Sequence, residues 1–403
     1  MLQLQHPSVK RRRPIRSRDD LAEHLQWALA VELSTIPPYL CAMYSLQDAE
    51  SGARQLLRGV VIEEMLHLML VCNLRNAVGP TATQGAHPSV VDVAARYPTF
   101  IPHHAAGGPF VQLQAASVAQ VRTVFMGIEQ PEPTHAPPQG DHFATIGQLY
   151  EAIAEGIRWL AAQPEPLFQG DPALQQRASY FGGGGGRLVP VTDVAGALVA
   201  IREIVAQGEG AQRGAPPRPG DEPFGALDNY GLRDDGTIGP IVGGRWEASH
   251  YSKFDAIASG QVPLGEVWPM GPNPDTRSLR GPLRRLSALF DDVYGLLLRA
   301  IDVAVSEPSA NGPFFSTVLP LMHTALPQLA GALMQTPLHD GADPSVGPNA
   351  GPAFLVGDAP LAEVIRDCDA LVSSSAVSPD VRHREVWLPA LLATQAVLAA
   401  LPS

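Results

Sequence analysis

Glu64 and His67 stand three positions apart in an otherwise apolar series, Leu57, Val60, Glu64, His67, Val71 and Leu74. Steps of three and four put all six on one helix face. Glu247 and His250 repeat the spacing far downstream. A glutamate and a histidine one helical turn apart can offer a carboxylate oxygen and an imidazole nitrogen to one cation. Two such pairs, with one more glutamate from each of two further helices, make the di-iron or di-manganese carboxylate site of a four-helix bundle. Oxygen donors with two imidazoles suit iron or manganese better than the thiolate-rich sites that favour zinc or copper.

The remaining glutamates must come from other helices. Glu32 interrupts the series Leu21, Leu25, Leu29, Ile36, Tyr39, Leu40 and Met43 at a slot that calls for an aliphatic residue. An ionised carboxylate on such a face has to be protonated, paired or bound to a cation. For the fourth helix there are two candidates. Glu209 lies at the edge of the stripe Val194, Leu198, Ile201 and Val205, whereas Glu151 matches the simplest helix count but falls off the stripe of its own helix. Glu209 is the preferred choice, so the metal set is Glu32, Glu64, His67, Glu209, Glu247 and His250, with no catalytic residue singled out beyond these. A third Glu-x-x-His, Glu132 to His135, sits in a Pro-rich stretch and is set aside. Glu63, one position from Glu64, points elsewhere and is expected to be solvated or bonded to a neighbouring element.

The elements that position these residues are helical. Ser17 and Asp20 resemble a capping box before the first helix, and Pro37-Pro38 should kink it. The second helix, 53–78, ends before Gly79-Pro80. Further helices are expected over 143–162, from Val191 to the Gln207-Gly208 region, and from near Arg245. Apolar segments at 278–305, 313–336, 360–373 and 384–401 suggest a second helical unit, in which His323 reads as a core histidine. Gly and Pro total 38 and 39, which implies long irregular connections. These fall at 79–142, 163–190 and 211–244. Histidines 87, 103, 104, 135 and 142 lie in the first with no helical spacing, and the glycines 182–186 read as a turn without a phosphate-binding motif. The expected architecture is all-α: a basic N-terminus over 1–17, a four-helix bundle with long irregular insertions over 18–260, and a C-terminal helical domain over 261–403.

Composition narrows the function. A net charge of −12 argues against a general nucleic-acid binder, and the basic cluster Lys10 to Arg13 reads as a solvated tail. No run of 18 apolar residues is present to span a membrane. The three cysteines, Cys41, Cys72 and Cys368, form no CxxC and read as buried free thiols, which fits a cytoplasmic location.

The segments HLQWALAVELSTIPPYLCAMYSL, RGVVIEEMLHLMLVCNLRNAVG, FMGIEQPE, FATIGQLYEAI, AIREIVAQGEG and EASHYSKF resemble the ferritin-like family that contains the iminophenyl-pyruvate dimer synthase domain. That domain occurs in the longer enzymes of violacein and rebeccamycin biosynthesis (VioB and RebD). The resemblance covers 18–260. It implies that the helix-1 Glu32, Glu64 and His67 of the EExxH, Glu209 of QGEG, and Glu247 and His250 of ExxHY are metal-site residues. It further implies iron and the oxidative coupling of aromatic 2-imino acids such as indole-3-pyruvate imine.

The expected function is an iron-dependent, non-haem di-iron-type oxidoreductase or oxidative synthase acting on a small molecule in secondary metabolism. Manganese is the alternative metal, and haem on His67, His250 or His323 a variant without a CxxCH to support it. The imine-coupling synthase itself and a non-catalytic ferritin-like metal-binding protein are the alternatives. A homodimer is the expected assembly.

Overall fold

Ser17 opens the first helix, α1 (Arg18–Ser45), through the reciprocal cap its spacing predicts. Its hydroxyl accepts from the Asp20 amide at 3.0 Å, and Asp20 Oδ2 accepts from the Ser17 amide at 3.1 Å. Helix α1 runs on through Pro37 and Pro38, where a kink was expected, to Ser45. Pro38 has no N–H for the carbonyl of Ser34, and that carbonyl instead accepts from the Tyr97 hydroxyl at 2.7 Å. The second helix, α2 (Gly52–Val78), starts from the Ser51 cap and stops at Gly79. Gly79 has φ +73°, and a Cβ there would lie 2.8 Å from the Gly170 amide nitrogen, so the stop requires glycine.

In this computed structural model the described residues are 14–83, 85, 87–104, 108–131, 143–177, 188–208, 248–308, 312–339 and 341–402, with the backbone of 230–232 and 238–240. Glu209, Glu247, Glu132, His135, His142, the basic cluster 10–13 and the glycines 182–186 lie outside them.

Helix α3 (Ile146–Ala161) begins at the Thr145 cap, and α4 (Val194–Gly208) ends at the glycine before Glu209. Contacts run α1 to α2, α2 to α4, α4 to α3 and α3 back to α1, closing a ring of four helices. A shorter helix, α5 (His250–Ala258), packs on α2, on α4 and on a helical segment within 118–128. Val121–Phe125 in that segment form a π-helical turn. Strand content among the described residues is two short antiparallel pairs, Thr99–Phe100 with Phe110–Val111 and Tyr230–Leu232 with Ile238–Pro240. The fold is all-α.

The C-terminal helices α6 (Gly281–Ser306), α7 (Leu326–Met334), α8 (Leu361–Ala376) and α9 (Leu388–Ala400) pack on one another. They also reach the bundle, α6 against α2 and α7 against α1, within one continuous apolar core. As a result every residue of α2 from Gly59 to Val78 is buried. Its polar side chains are therefore bonded to other elements. Asn73 Nδ2 donates to the Gln176 and Val189 carbonyls at 3.0 and 3.1 Å, and Asn76 Nδ2 to the Val305 carbonyl at 2.8 Å. The three cysteines are buried and free, and among the described residues no helix is long and apolar enough to cross a membrane.

Candidate metal centre

Helices α1 and α2 lie side by side, so Glu32 of α1 faces Glu64 and His67 of α2. His250 enters from the first position of α5, where Ser249 caps the helix by accepting from the Ser252 amide at 3.3 Å. Four of the six residues singled out by spacing are thereby brought together. Glu129, at the end of the 118–128 segment, joins them. None of the five is more than 2% exposed.

Their ligating atoms form two triads, Glu32, Glu64 and His67, and Glu64, Glu129 and His250, each with its atoms within 4.8 Å of one another. His67 Nδ1 lies 3.4 Å from Glu32 Oε2 and 3.9 Å from Glu64 Oε2. His250 Nδ1 lies 3.0 Å from Glu64 Oε1 and 3.7 Å from Glu129 Oε2. Glu64 thus turns one oxygen to each imidazole, the disposition of a bridging carboxylate, with one terminal carboxylate and one imidazole on either side.

A layer of hydrogen bonds holds each group in place. The Tyr150 hydroxyl donates to Glu32 Oε1, the Thr35 hydroxyl to Glu64 Oε2 at 2.9 Å and the Tyr39 hydroxyl to Glu129 Oε1 at 2.7 Å. Behind the imidazoles, His67 Nε2 is 3.0 Å from Gln207 Oε1 and His250 Nε2 is 2.8 Å from Glu63 Oε2. Both partners are acceptors, so each neutral ring carries its proton on Nε2 and turns the Nδ1 lone pair inward. Lys253 Nζ donates to both oxygens of Glu63, at 2.6 and 2.7 Å.

Three carboxylates this close and this buried need compensating positive charge, and protons supply it where no cation is bound. Burial, with the Glu129 charge, pushes Glu64 up to about 8 against the opposing pull of His250. Burial works against ionised Glu129 too, yet its contacts with His250 and Tyr39 outweigh it and hold that carboxyl below the usual range. The same burial opposes a charge on His250, but the carboxylates of Glu129, Glu63 and Glu64 raise its pKa well above the ordinary value. His67 is raised in the same manner by Glu32 and Glu64.

The residues fit a cation pair. His250 Nδ1 is buried and makes no hydrogen bond of acceptable geometry despite the carboxylate oxygens around it, which is the placement a metal ligand requires. The donor set of carboxylate oxygens and two imidazoles matches iron or manganese. A narrow cavity reaches the centre between Ile146 and Gly147 at the start of α3 and Ile204, Val205 and Gly208 at the end of α4. Of the two imidazoles, His67 lines it. A Cβ on Gly208 would stand 3.2 Å from Glu129 Oε2, so glycine keeps the wall clear there.

Of the two fourth-helix candidates, one is placed by the structure. Glu151 is exposed on α3 and takes no part. The preferred Glu209 follows Gly208 directly but lies outside the described residues, as does Glu247. Helix α5 begins at His250, with Ser249 as its cap, rather than near Arg245. Glu129 was missed because 79–142 reads as an irregular connection. The signal was present in Val118, Val121, Phe125 and Ile128, which repeat at helical spacing just before it. Glu63 is fully buried and bonded to α5. Of the loop histidines, His103 stacks on Trp27 at 4.3 Å and His87 is exposed. His323 lies at the surface rather than in the core.

The family model described as Ferritin-like matches residues 25–259, more than half of the chain. Dichlorochromopyrrolate synthase of Lentzea aerocolonigenes is 24% identical over 415 aligned positions, which cover 86% of this chain and 37% of that enzyme. The chain therefore spans well under half the length of this relative. The crystal structure of a ferritin-like protein from Caulobacter vibrioides superposes with a TM-score of 0.54 at 21% identity, over 77% of this chain and 94% of that one. That likeness is one of fold.

Proposed function

We propose, on the premise that this chain belongs to the Ferritin-like family, that it is an iron-dependent oxidoreductase or oxidative synthase of secondary metabolism with a dinuclear centre in its bundle. The observation that carries this reading is Glu64, whose two oxygens face two imidazoles, each paired with a terminal carboxylate. A bound iron pair would supply one-electron steps and the activation of dioxygen or peroxide. The chain's own residues do the rest. Tyr150 and Tyr39 hold protons at Glu32 Oε1 and Glu129 Oε1 and fix the orientation of those carboxylates. Phe125 and Phe254 pack on the Tyr39 ring at 4.7 and 5.1 Å and keep water from that side. The cavity between α3 and α4 gives a small reactant its approach. The His67 and His250 rings stack with centroids 5.3 Å apart, which leaves no slot for a haem macrocycle between them.

Elemental analysis with an ultraviolet–visible spectrum of the purified protein tests the reading. About two iron or manganese ions per chain without a Soret band are expected, and Glu64→Ala should abolish that content. Unchanged metal and oxidase activity in Glu64→Ala would refute the proposal.

A second reading, coupling of aromatic 2-imino acids, is favoured by the similarity to dichlorochromopyrrolate synthase across 86% of this chain. Its substrate would come from a partner amino-acid oxidase. Indole-3-pyruvate imine supplied to the iron-loaded protein should then give a coupled product by mass spectrometry. No product from any aromatic 2-imino acid would sink this second reading.

A further inference from the structure

The two imidazoles are backed differently. His250 Nε2 faces the Glu63 carboxylate at 2.8 Å, and Lys253 Nζ bonds both oxygens of that carboxylate at 2.6 and 2.7 Å. Glu63, His250 and Lys253 are 0%, 0% and 2% exposed. His67 Nε2 instead faces the neutral amide of Gln207 at 3.0 Å. The terminal carboxylates do not break the symmetry, because each accepts one tyrosine hydroxyl, Glu32 from Tyr150 and Glu129 from Tyr39. The difference therefore lies behind the rings; Glu32, Glu64, His67 and Glu129 all line the cavity, and of the five residues His250 alone is set back from it.

Resting on the dinuclear reading above, we propose that the two metal positions are unequal. The position between Glu129 and His250 binds first and holds its ion. The position between Glu32 and His67 is the weaker, exchangeable one that meets the reactant. A carboxylate behind a ligating imidazole makes the ring a stronger donor and locks its orientation. Lys253, three positions beyond His250 on α5, donates to both oxygens of Glu63 and so fixes that carboxylate against the His250 ring. A neutral amide behind His67 fixes that ring without the same gain in basicity. Glu63 and Lys253 are thus positioning residues for one metal and not the other.

The test is titration of metal-free, full-length protein with Mn(II), free ion being read by electron paramagnetic resonance. Two steps are expected, separated by about tenfold or more in affinity. Glu129→Gln should remove the tight step and Glu32→Gln the weak one. The double variant Glu63→Gln with Lys253→Met keeps an acceptor for His250 while removing the charge. It should weaken the tight step by about 10- to 100-fold and leave the weak step unchanged. Gln207→Glu places a carboxylate behind His67 and should tighten the weak step. Circular dichroism melts establish that each variant is folded. If the double variant does not fold, Gln207→Glu decides, and an unchanged weak step overturns the proposal. Equal affinities in the wild type, or equal weakening of both steps in the double variant, also overturn it while the metal reading stands. Failure of the wild type to bind Mn(II) at all removes the metal reading itself.

Discussion

Replacing Lys253 by methionine isolates the buried ion pair behind the metal centre. The Lys253 and Glu63 side chains are 3% and 1% exposed, with Nζ 2.6 Å from the nearer carboxylate oxygen. At an effective dielectric near 20, that separation corresponds to an attraction of about 6 kcal/mol, against which the desolvation of both groups must be set. Removing one partner leaves the other buried and uncompensated, at a cost of about 3–5 kcal/mol. Lys253→Met falls toward the lower end of that range, because Glu63 keeps its hydrogen bond from His250. Glu63→Gln alone strands the ammonium and should cost a similar amount. The double variant removes both charges and keeps an amide oxygen for His250, so it should cost about 1 kcal/mol or less. The assay is urea unfolding of the metal-free protein followed by circular dichroism, read as a double-mutant cycle. The expected coupling is about 5 kcal/mol or more. A coupling under about 1 kcal/mol, the range of exposed pairs, would refute the argument that this pair is dry and structurally coupled.

Away from the centre, burial pushes Asp291 up to about 7 although Thr276 and the Leu355 amide bond its carboxyl. The folded protein then keeps a proton that the unfolded chain releases near 3.8. Stability should accordingly fall as pH rises between those values, by up to about 4 kcal/mol, and level off above pH 7. Asp291→Asn can accept from Leu355 and donate to Thr276, so denaturation midpoints measured from pH 4 to 8 should lose this slope; a slope retained in full would rule Asp291 out as its source. At Gly170 a Cβ would lie 1.6 Å from the Asn76 carbonyl oxygen, backbone that cannot yield easily. Gly170→Ala should cost about 3 kcal/mol or more. Gly331→Ala, with nothing within 4 Å inside a helix, should be neutral or stabilise by up to about 1 kcal/mol, and thermal melts compare the two. Removing 261–403 would strip α6 and α7 from α2 and α1 and break the bond from Asn76 to the Val305 carbonyl. The remaining piece should be insoluble or lack near-ultraviolet dichroism, and a soluble product with a native near-ultraviolet spectrum would contradict the continuity of the core.

Helical class was legible because the apolar spacing of 57–74, 146–160 and 194–205 survives in the folded chain, with Ser17 and Gly79 marking ends where their chemistry demands. The start of α5 was less legible. Ser249 competes as a cap four residues inside the reading that began near Arg245, and the cap decides where the helix opens. Pro37 and Pro38 show the same contest from the other side. The two prolines remove N–H groups from the ladder, but a tyrosine from a distant loop supplies the donor for Ser34 and the helix continues. Partners of this kind are contributed by tertiary contacts that no local window contains.

The metal centre divides along a similar line. Glu32, Glu64 and His67 were visible because a polar residue on an apolar face is conspicuous when the whole face is otherwise aliphatic. Glu129 follows a short helical run hidden in a Pro-rich stretch, so its burial depends on where that run docks. Glu63 and Lys253 were harder still. On a helix covered on one side, the residue next to a buried glutamate would point to solvent, but α2 is covered on every side and Glu63 has no water to meet. Its charge is tolerable only because Lys253 and His250 of α5 arrive at it. Of the two fates expected for Glu63, solvation and a bond to a neighbouring element, the second holds where the C-terminal helices and α5 close over α2. There a second carboxylate became the backing of one imidazole and left the other with a neutral amide.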